Sequence, residues 1–138
     1  MESDSRITSP APSAAHRARG VLLVAHGSRD PAWAAPFEAL RVRIAAQHIG
    51  VELAYLELMK PDVESAVAAL AARGCTHATV VPLFLGQGGH VRDDLPRLVS
   101  VAMQASPSIA LSLVPPIGEN ADVLDAIAAA CIALHESR

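Results

Sequence analysis

Apolar residues in this chain follow two rhythms: short unbroken runs, and longer stretches where they recur every third or fourth position. Residues 21–25 (VLLVA) form an unbroken run, as expected of a strand covered on both faces. Asp30 and Pro31 then offer an N-cap followed by proline at the first helical position. Trp33, Phe37, Leu40 and Ile44 recur at helical spacing while Glu38, Arg41 and Arg43 face elsewhere, and Gly50 ends this helix. Residues 51–58 read as a second strand, with Glu52 near its start and Glu57 near its end. Lys60-Pro61-Asp62 starts a second helix through Val63, Ala66, Val67 and Leu70, closed by Gly74. Residues 76–85 hold the third strand and the start of the next loop. A third helix is under way by about Asp94, since proline such as Pro96 is expected only in a first turn, and it continues through Leu98, Val99 and Ala102. Residues 109–114 are a short fourth strand, 115–118 a loop and 119–135 the last helix.

Strands alternating with helices in the order βαβαβαβα imply a parallel sheet with right-handed crossovers. The expected fold class is α/β, an open four-stranded parallel sheet flanked by helices, in the flavodoxin-like order 2-1-3-4. Its switch point falls between strands one and three. Residues 19–138 form one domain, preceded by a tail over residues 1–18. That tail is rich in Ser, Pro and Ala, without a continuous apolar stretch, and is expected to be disordered, not a signal peptide.

Of the 138 residues 51% are apolar but only 3% aromatic, because alanine supplies much of the total, so the core is expected to be small and aliphatic. A formal charge of −3 argues against nucleic acid as a partner. No run of about eighteen apolar residues offers a membrane span. Cys75 and Cys131 lie far apart with no CxxC motif, and are expected to be buried, reduced thiols of a cytoplasmic protein.

The residues that carry chemistry are two histidines. His26 follows the first strand and precedes Gly27, and His90 follows the third strand and Gly88-Gly89. Both are expected in matching loops at the carboxyl edge of the sheet, beside the switch point where ligands bind. Imidazole suits divalent iron, cobalt, nickel and zinc, and also works as a base near neutrality. Two histidines are too few for a closed structural zinc site, but they suit one that holds a metal loosely and passes it on. His16, His48, His77 and His135 lie in the tail, at a helix end, at the opposite edge and near the C-terminus, and are expected to be structural.

Glu57 should reach the same edge as either a catalytic group or a solvated carboxylate. Arg29, Lys60 and Arg92 are either solvated charges or partners for an anionic substrate, helped by helix N-termini pointing the same way. Gly88 and Gly89 are counted with them as substrate-contacting candidates. Asp93 and Asp94 are expected to cap the third helix, with metal ligation as the lesser alternative. The 86–89 loop lacks the GxxxxGK[ST] pattern and no GxGxxG follows the first strand, so a nucleotide site has little support. Ser28 has no GxSxG context for a hydrolase nucleophile.

Residues 24–31 (VAHGSRDP), 55–58 (YLEL) with Pro61, 81–85 (VPLFL) with 88–91 (GGHV), and 115–118 (PPIG) together resemble the CbiX/SirB sirohydrochlorin chelatases. The likeness runs from about Gly20 to the C-terminal helix. The length is similar to the short form, with one chelatase half where larger members carry two. The resemblance implies insertion of cobalt or ferrous iron into sirohydrochlorin for cobalamin or siroheme biosynthesis. By motif position, His26 and His90 correspond to the metal-binding and catalytic histidines, and Glu57 lies in the family's LEL segment. No permanently bound cofactor is implied; the divalent metal, with nickel as a further option, is a substrate. The tetrapyrrole is the partner, and its carboxylates give Arg29, Lys60 and Arg92 a task. A homodimer is expected, two copies imitating the two halves of longer relatives. A non-catalytic nickel, cobalt or tetrapyrrole carrier would use the same histidines. A histidine-phosphatase-like hydrolase would need arginine where Ala25 stands.

Overall fold

In the computed structural model, which describes residues 13–137, β1 (Arg19–Ala25) lies between β2 (Gly50–Tyr55) and β3 (His77–Pro82). The sheet is completed by β4 (Ala110–Leu113), all parallel, in the order β2-β1-β3-β4. The expected architecture and its switch point between β1 and β3 are both present. Strand alternation sends Leu22, Val24 and Val80 to one face and Val21, Leu23 and Val81 to the other.

The first face is roofed by α3 (Val63–Ala72) and α4 (Gly89–Ala105). Asp62 starts α3 by accepting a hydrogen bond from the Ser65 amide at 2.9 Å. Val63, Ala66, Val67 and Leu70 then fall on one stripe, and all four are buried. Burying a Leu or Val side chain contributes about 1.5–3 kcal/mol, so this helix is held mainly by its stripe. The second face is covered over β1 and β2 by α2 (Ala35–Ala45) and the 3-10 turn Pro31–Ala34. There Trp33, Phe37 and Ile44 pack on Leu23, Leu53 and Tyr55. Burial, with the Glu38 carboxylate nearby, pushes the Tyr55 phenol upward in pKa. The last helix, α5 (Ala121–Glu136), has no buried residue.

Several boundaries depart from the sequence expectation, each for a local reason. Order begins before residue 19. A single turn, α1 (Ala14–Arg17), precedes β1, and the Ala18 carbonyl accepts the Thr76 and His77 amides at 2.8 and 3.2 Å. Of the tail expected over residues 1–18, residues 1–12 lie outside the described residues. The first long helix is split, because Pro36 has no N–H to continue the turn Pro31–Ala34 as an α-helix. It ends through His48, at φ 61°, so Gly50 opens β2 instead of closing the helix. β2 stops at Tyr55, which leaves Glu57 in the turn beyond it. β3 and β4 are also shorter than expected, the expected 115–118 loop passes into a turn at Ile117–Glu119, and α5 begins at Ala121 instead of residue 119.

α4 contradicts the proline argument outright. It starts at Gly89 and runs straight through Pro96. Pro96 and Arg92 both sit on the exposed side, where solvent replaces the missing helical hydrogen bond. His90 therefore stands on the first turn of a helix and not in a loop. Cys75 is buried as expected, and burial raises its thiol pKa against the opposing charge of Arg73. Cys131 is exposed, contrary to expectation, because among the described residues α5 meets chiefly the turn that precedes it and buries none of its side chains. Among the described residues no helix is long and apolar enough to cross a membrane.

Candidate functional site

His26 is set by backbone. It follows β1 directly, and its carbonyl accepts the Glu57 amide at 3.1 Å, one step after the Ala25 carbonyl accepts the Leu56 amide at 3.0 Å. Gly27 lies at φ +105°, and a Cβ there would stand 1.8 Å from the Glu57 carbonyl oxygen. Only glycine permits this contact, which fixes the segment after β1 against the segment after β2. The imidazole meets the Phe84 ring edge-on, with centroids 5.3 Å apart. Beyond it, Ser28 Oγ accepts the Asp30 amide at 3.1 Å and Asp30 Oδ1 accepts the Ala32 amide at 3.0 Å, closing the turn into the next helix.

His90 is set by a side chain. Gly88 is the N-cap of α4 in extended backbone geometry and Gly89 is the first helical residue, so His90 projects from the first turn. Its Nε2 lies 2.9 Å from Asp94 Oδ2, and Asp94 Oδ1 accepts Arg97 at 3.2 Å. The His90 side chain is 90% exposed.

His26, Glu57, His90 and Asp94 line one cavity of about 210 Å³. Leu56, Val91 and Leu98 give it an apolar wall, and Arg97 supplies a cation. Among the described residues no three His, Cys, Asp or Glu side chains converge tightly enough to hold a metal ion by themselves. An ion bound by one or two imidazoles here keeps open coordination positions for another ligand. The two imidazoles and two carboxylates also offer sites that take up protons beside an apolar surface.

The other candidates are spread more widely. Arg29 is exposed and does not line this cavity. Lys60 is exposed, with Nζ 3.8 Å from Asp62 Oδ2. Hydrogen bonds from the Ser65 side chain and amide hold the Asp62 carboxyl below the usual range, and the Lys60 charge adds to this. Arg92 opens with Gln87 and Pro115 onto a neighbouring cavity of about 270 Å³. Gly88 and Gly89 act through backbone geometry, and neither lines the histidine cavity. Sequence reasoning placed Asp94 first as a helix cap, with metal ligation as the lesser reading, and missed Arg97. The signal joining Asp94 to the site was the i, i+4 spacing of His90 and Asp94, unreadable while the helix was taken to begin near Asp94.

The family model for CbiX matches residues 20–133. A sirohydrochlorin ferrochelatase of Bacillus subtilis (strain 168) is 33% identical over 112 residues, covering 79% of this chain and 42% of that protein. A sirohydrochlorin cobaltochelatase of Saccharolobus solfataricus is 38% identical over 82 residues, covering 59% of this chain and 64% of its own. The crystal structure of a CbiX protein from Marinobacter aquaeolei VT8 superposes with a TM-score of 0.78 at 31% identity, over 87% of this chain and 99% of that one. This chain therefore spans less than two thirds of the length of the two curated relatives, but nearly the whole of the structural neighbour.

Proposed function

The chain belongs to the CbiX family, and from that premise we propose that it inserts a divalent metal ion, cobalt or ferrous iron, into sirohydrochlorin. The observation that carries this reading is the meeting of His26, His90 and Glu57 in one open cavity at the carboxyl edge of β1 and β3. The relatives named as cobaltochelatase and ferrochelatase support both metals, so the cobalamin and siroheme routes both stand. Imidazole accommodates either ion, and nickel as well.

Insertion replaces two pyrrole N–H protons with one metal ion. His26 and His90 hold the incoming ion through neutral imidazole nitrogens while leaving coordination positions for the pyrrole nitrogens. As the ion moves to the ring, these nitrogens and the Glu57 carboxylate become free to accept the released protons. Leu56, Val91 and Leu98 give the macrocycle a dry surface to rest on. Arg29, Lys60 and Arg92 surround this edge with positive charge for the carboxylates of the substrate. The protein acts as a homodimer in the reducing cytoplasm, a second copy supplying the wall that one half-length domain lacks.

The test is metal insertion by the purified chain under anaerobic conditions, followed by the tetrapyrrole absorption spectrum with Co²⁺ or Fe²⁺. Multiple turnovers well above the uncatalysed rate are expected. Stoichiometric binding of metal or tetrapyrrole without turnover would instead make the protein a carrier.

A further inference from the structure

Three glycines ahead of α4 and at its start are not required by the fold. Elsewhere packing explains the residue: a Cβ on Gly27 or Gly118 would run into backbone. Gly86, Gly88 and Gly89 meet nothing within 4 Å, and none adopts the positive φ that disfavours other residues. Glycine at such positions only adds freedom to the unfolded chain, which lowers stability. What the three provide is bare backbone, over which a flat molecule can lie closely.

The bare stretch runs between two cavities that α4 separates. His90, Asp94 and Leu98 line the histidine cavity, and Arg92, Leu95 and Pro96 line the neighbouring one of about 270 Å³. A third cavity, of about 310 Å³, touches Gly86, Gln87 and Arg92 and so follows the loop from one towards the other. Leu85, 68% exposed, adds apolar surface beside it. The histidine cavity, at about 210 Å³, falls short of the roughly 300–1,000 Å³ of ordinary small-molecule sites. A tetrapyrrole seated over His26 must therefore extend beyond it.

We propose that the tetrapyrrole crosses the 86–89 loop and places one of its alkyl carboxylate side chains in the Arg92 cavity. This rests on the chelatase reading and adds what orients the ring. The cavity suits such a chain along its whole length. Pro82, Leu95 and Pro115 give apolar walls for the methylene groups. Gln87 and Arg92 supply its polar side chains, and no acidic residue lines it. Among the described residues neither of these two side chains makes a hydrogen bond or an ion pair. A guanidinium takes a carboxylate through two parallel N–H···O bonds. The cavity along the loop is a poorer seat, because the Glu119 carboxylate lines it and repels an anion. Arg92 thus anchors the ring by its rim, and the glycines set how closely the ring lies on the backbone.

The test is binding of sirohydrochlorin to the full chain without metal, read by its absorption change. Arg92→Met should raise Kd about 10- to 100-fold, the scale of a lost charge-assisted hydrogen bond, and Arg92→Lys should raise it less. In turnover the loss should fall on KM and not on kcat. Against the tetrapyrrole with its carboxyl groups converted to amides, wild type and Arg92→Met should bind alike. Gly88→Ala and Gly88→Leu should raise Kd in order of side-chain size, with Tm kept within a few degrees. Wild-type affinity for the free acid in Arg92→Met, or equal losses for acid and amide, overturns the carboxylate seat. Wild-type affinity in Gly88→Leu overturns the crossing. A wild-type chain that binds no sirohydrochlorin removes both this proposal and the chelatase reading. Binding without turnover removes the chelatase reading alone, and the Kd values still decide the seat.

Discussion

The two histidines of the site are held by opposite means. His26 is locked by main chain, through Gly27 at φ +105° and the Glu57 amide on its carbonyl, with Phe84 against the ring. His90 rides on an exposed helical turn and is restrained by one side-chain contact, Nε2 to Asp94 Oδ2. The difference lies in what each can do when a ligand arrives. His26 and Glu57 are set relative to each other before anything binds. The His90 ring needs only a rotamer change and the loss of one exposed contact, which costs little. Under the proposed reaction, in which an ion is taken up and then released to a macrocycle, one fixed imidazole and one yielding one would be an advantage.

The sharpest way to break this contrast is a matched pair of glycine substitutions. Gly27→Ala forces a Cβ into the Glu57 carbonyl and should cost about 3 kcal/mol of stability, read as a fall in Tm of roughly 10 °C, with insertion lost. Gly89→Ala meets nothing within 4 Å, lies in a helix, and should leave Tm unchanged or slightly raised. Equal damage from both would show that the two segments are held alike.

Next in size are His26→Ala and His90→Ala. Each should lower the rate of insertion by about 100-fold or more without unfolding the domain, since both side chains are exposed. The double variant should lose little more than the worse single one, because groups that work as a unit are non-additive. Wild-type rates in both single variants at subsaturating metal would remove these residues from the mechanism.

Asp94→Asn tests the yielding side by itself. It should lower the rate at low metal roughly 10-fold, the usual scale for a group that orients a metal ligand. Much of that loss should be recovered at high metal, because His90 itself remains. A loss confined to kcat and insensitive to metal would place Asp94 in proton transfer instead. The smallest effect is expected at His48, outside the cavity at the end of α2's turn, where His48→Ala should leave the insertion rate within twofold.

Much of this could be read along the chain. The alternation of unbroken runs with helical spacing marks out β1 through β4 and their parallel direction, whereas the order 2-1-3-4 is an assumption at the level of sequence that the tertiary structure bears out. Glu57 was read at the right edge although on the wrong element. Its place beyond β2 follows from a hydrogen bond to His26, a residue 31 positions earlier. Asp94 was hidden by Pro96. Proline penalises a helix interior, but the penalty is modest where the freed carbonyl is solvated, so α4 starts a full turn and more before the sequence rule allowed. Arg29, Lys60 and Arg92 show the reverse limit. Their charge is plain in the sequence, but Arg92 faces a different cavity from His90 two residues away, because helical neighbours point in different directions.

What the sequence determined by itself is local: which segments form strands or helices, where Asp62 starts α3, and that two imidazoles end up near one edge. Tertiary structure alone decided what each element touches. α3 and α5 make the case, as both are alanine-rich, capped helices with apolar stripes, yet the first is buried along four positions and the second along none. A stripe is a local property of 3.6-residue spacing. Its burial depends on whether the chain that leads into the helix points it at a sheet, and for α5 that is settled by Gly118 wedged against Leu85 in the loop after β3.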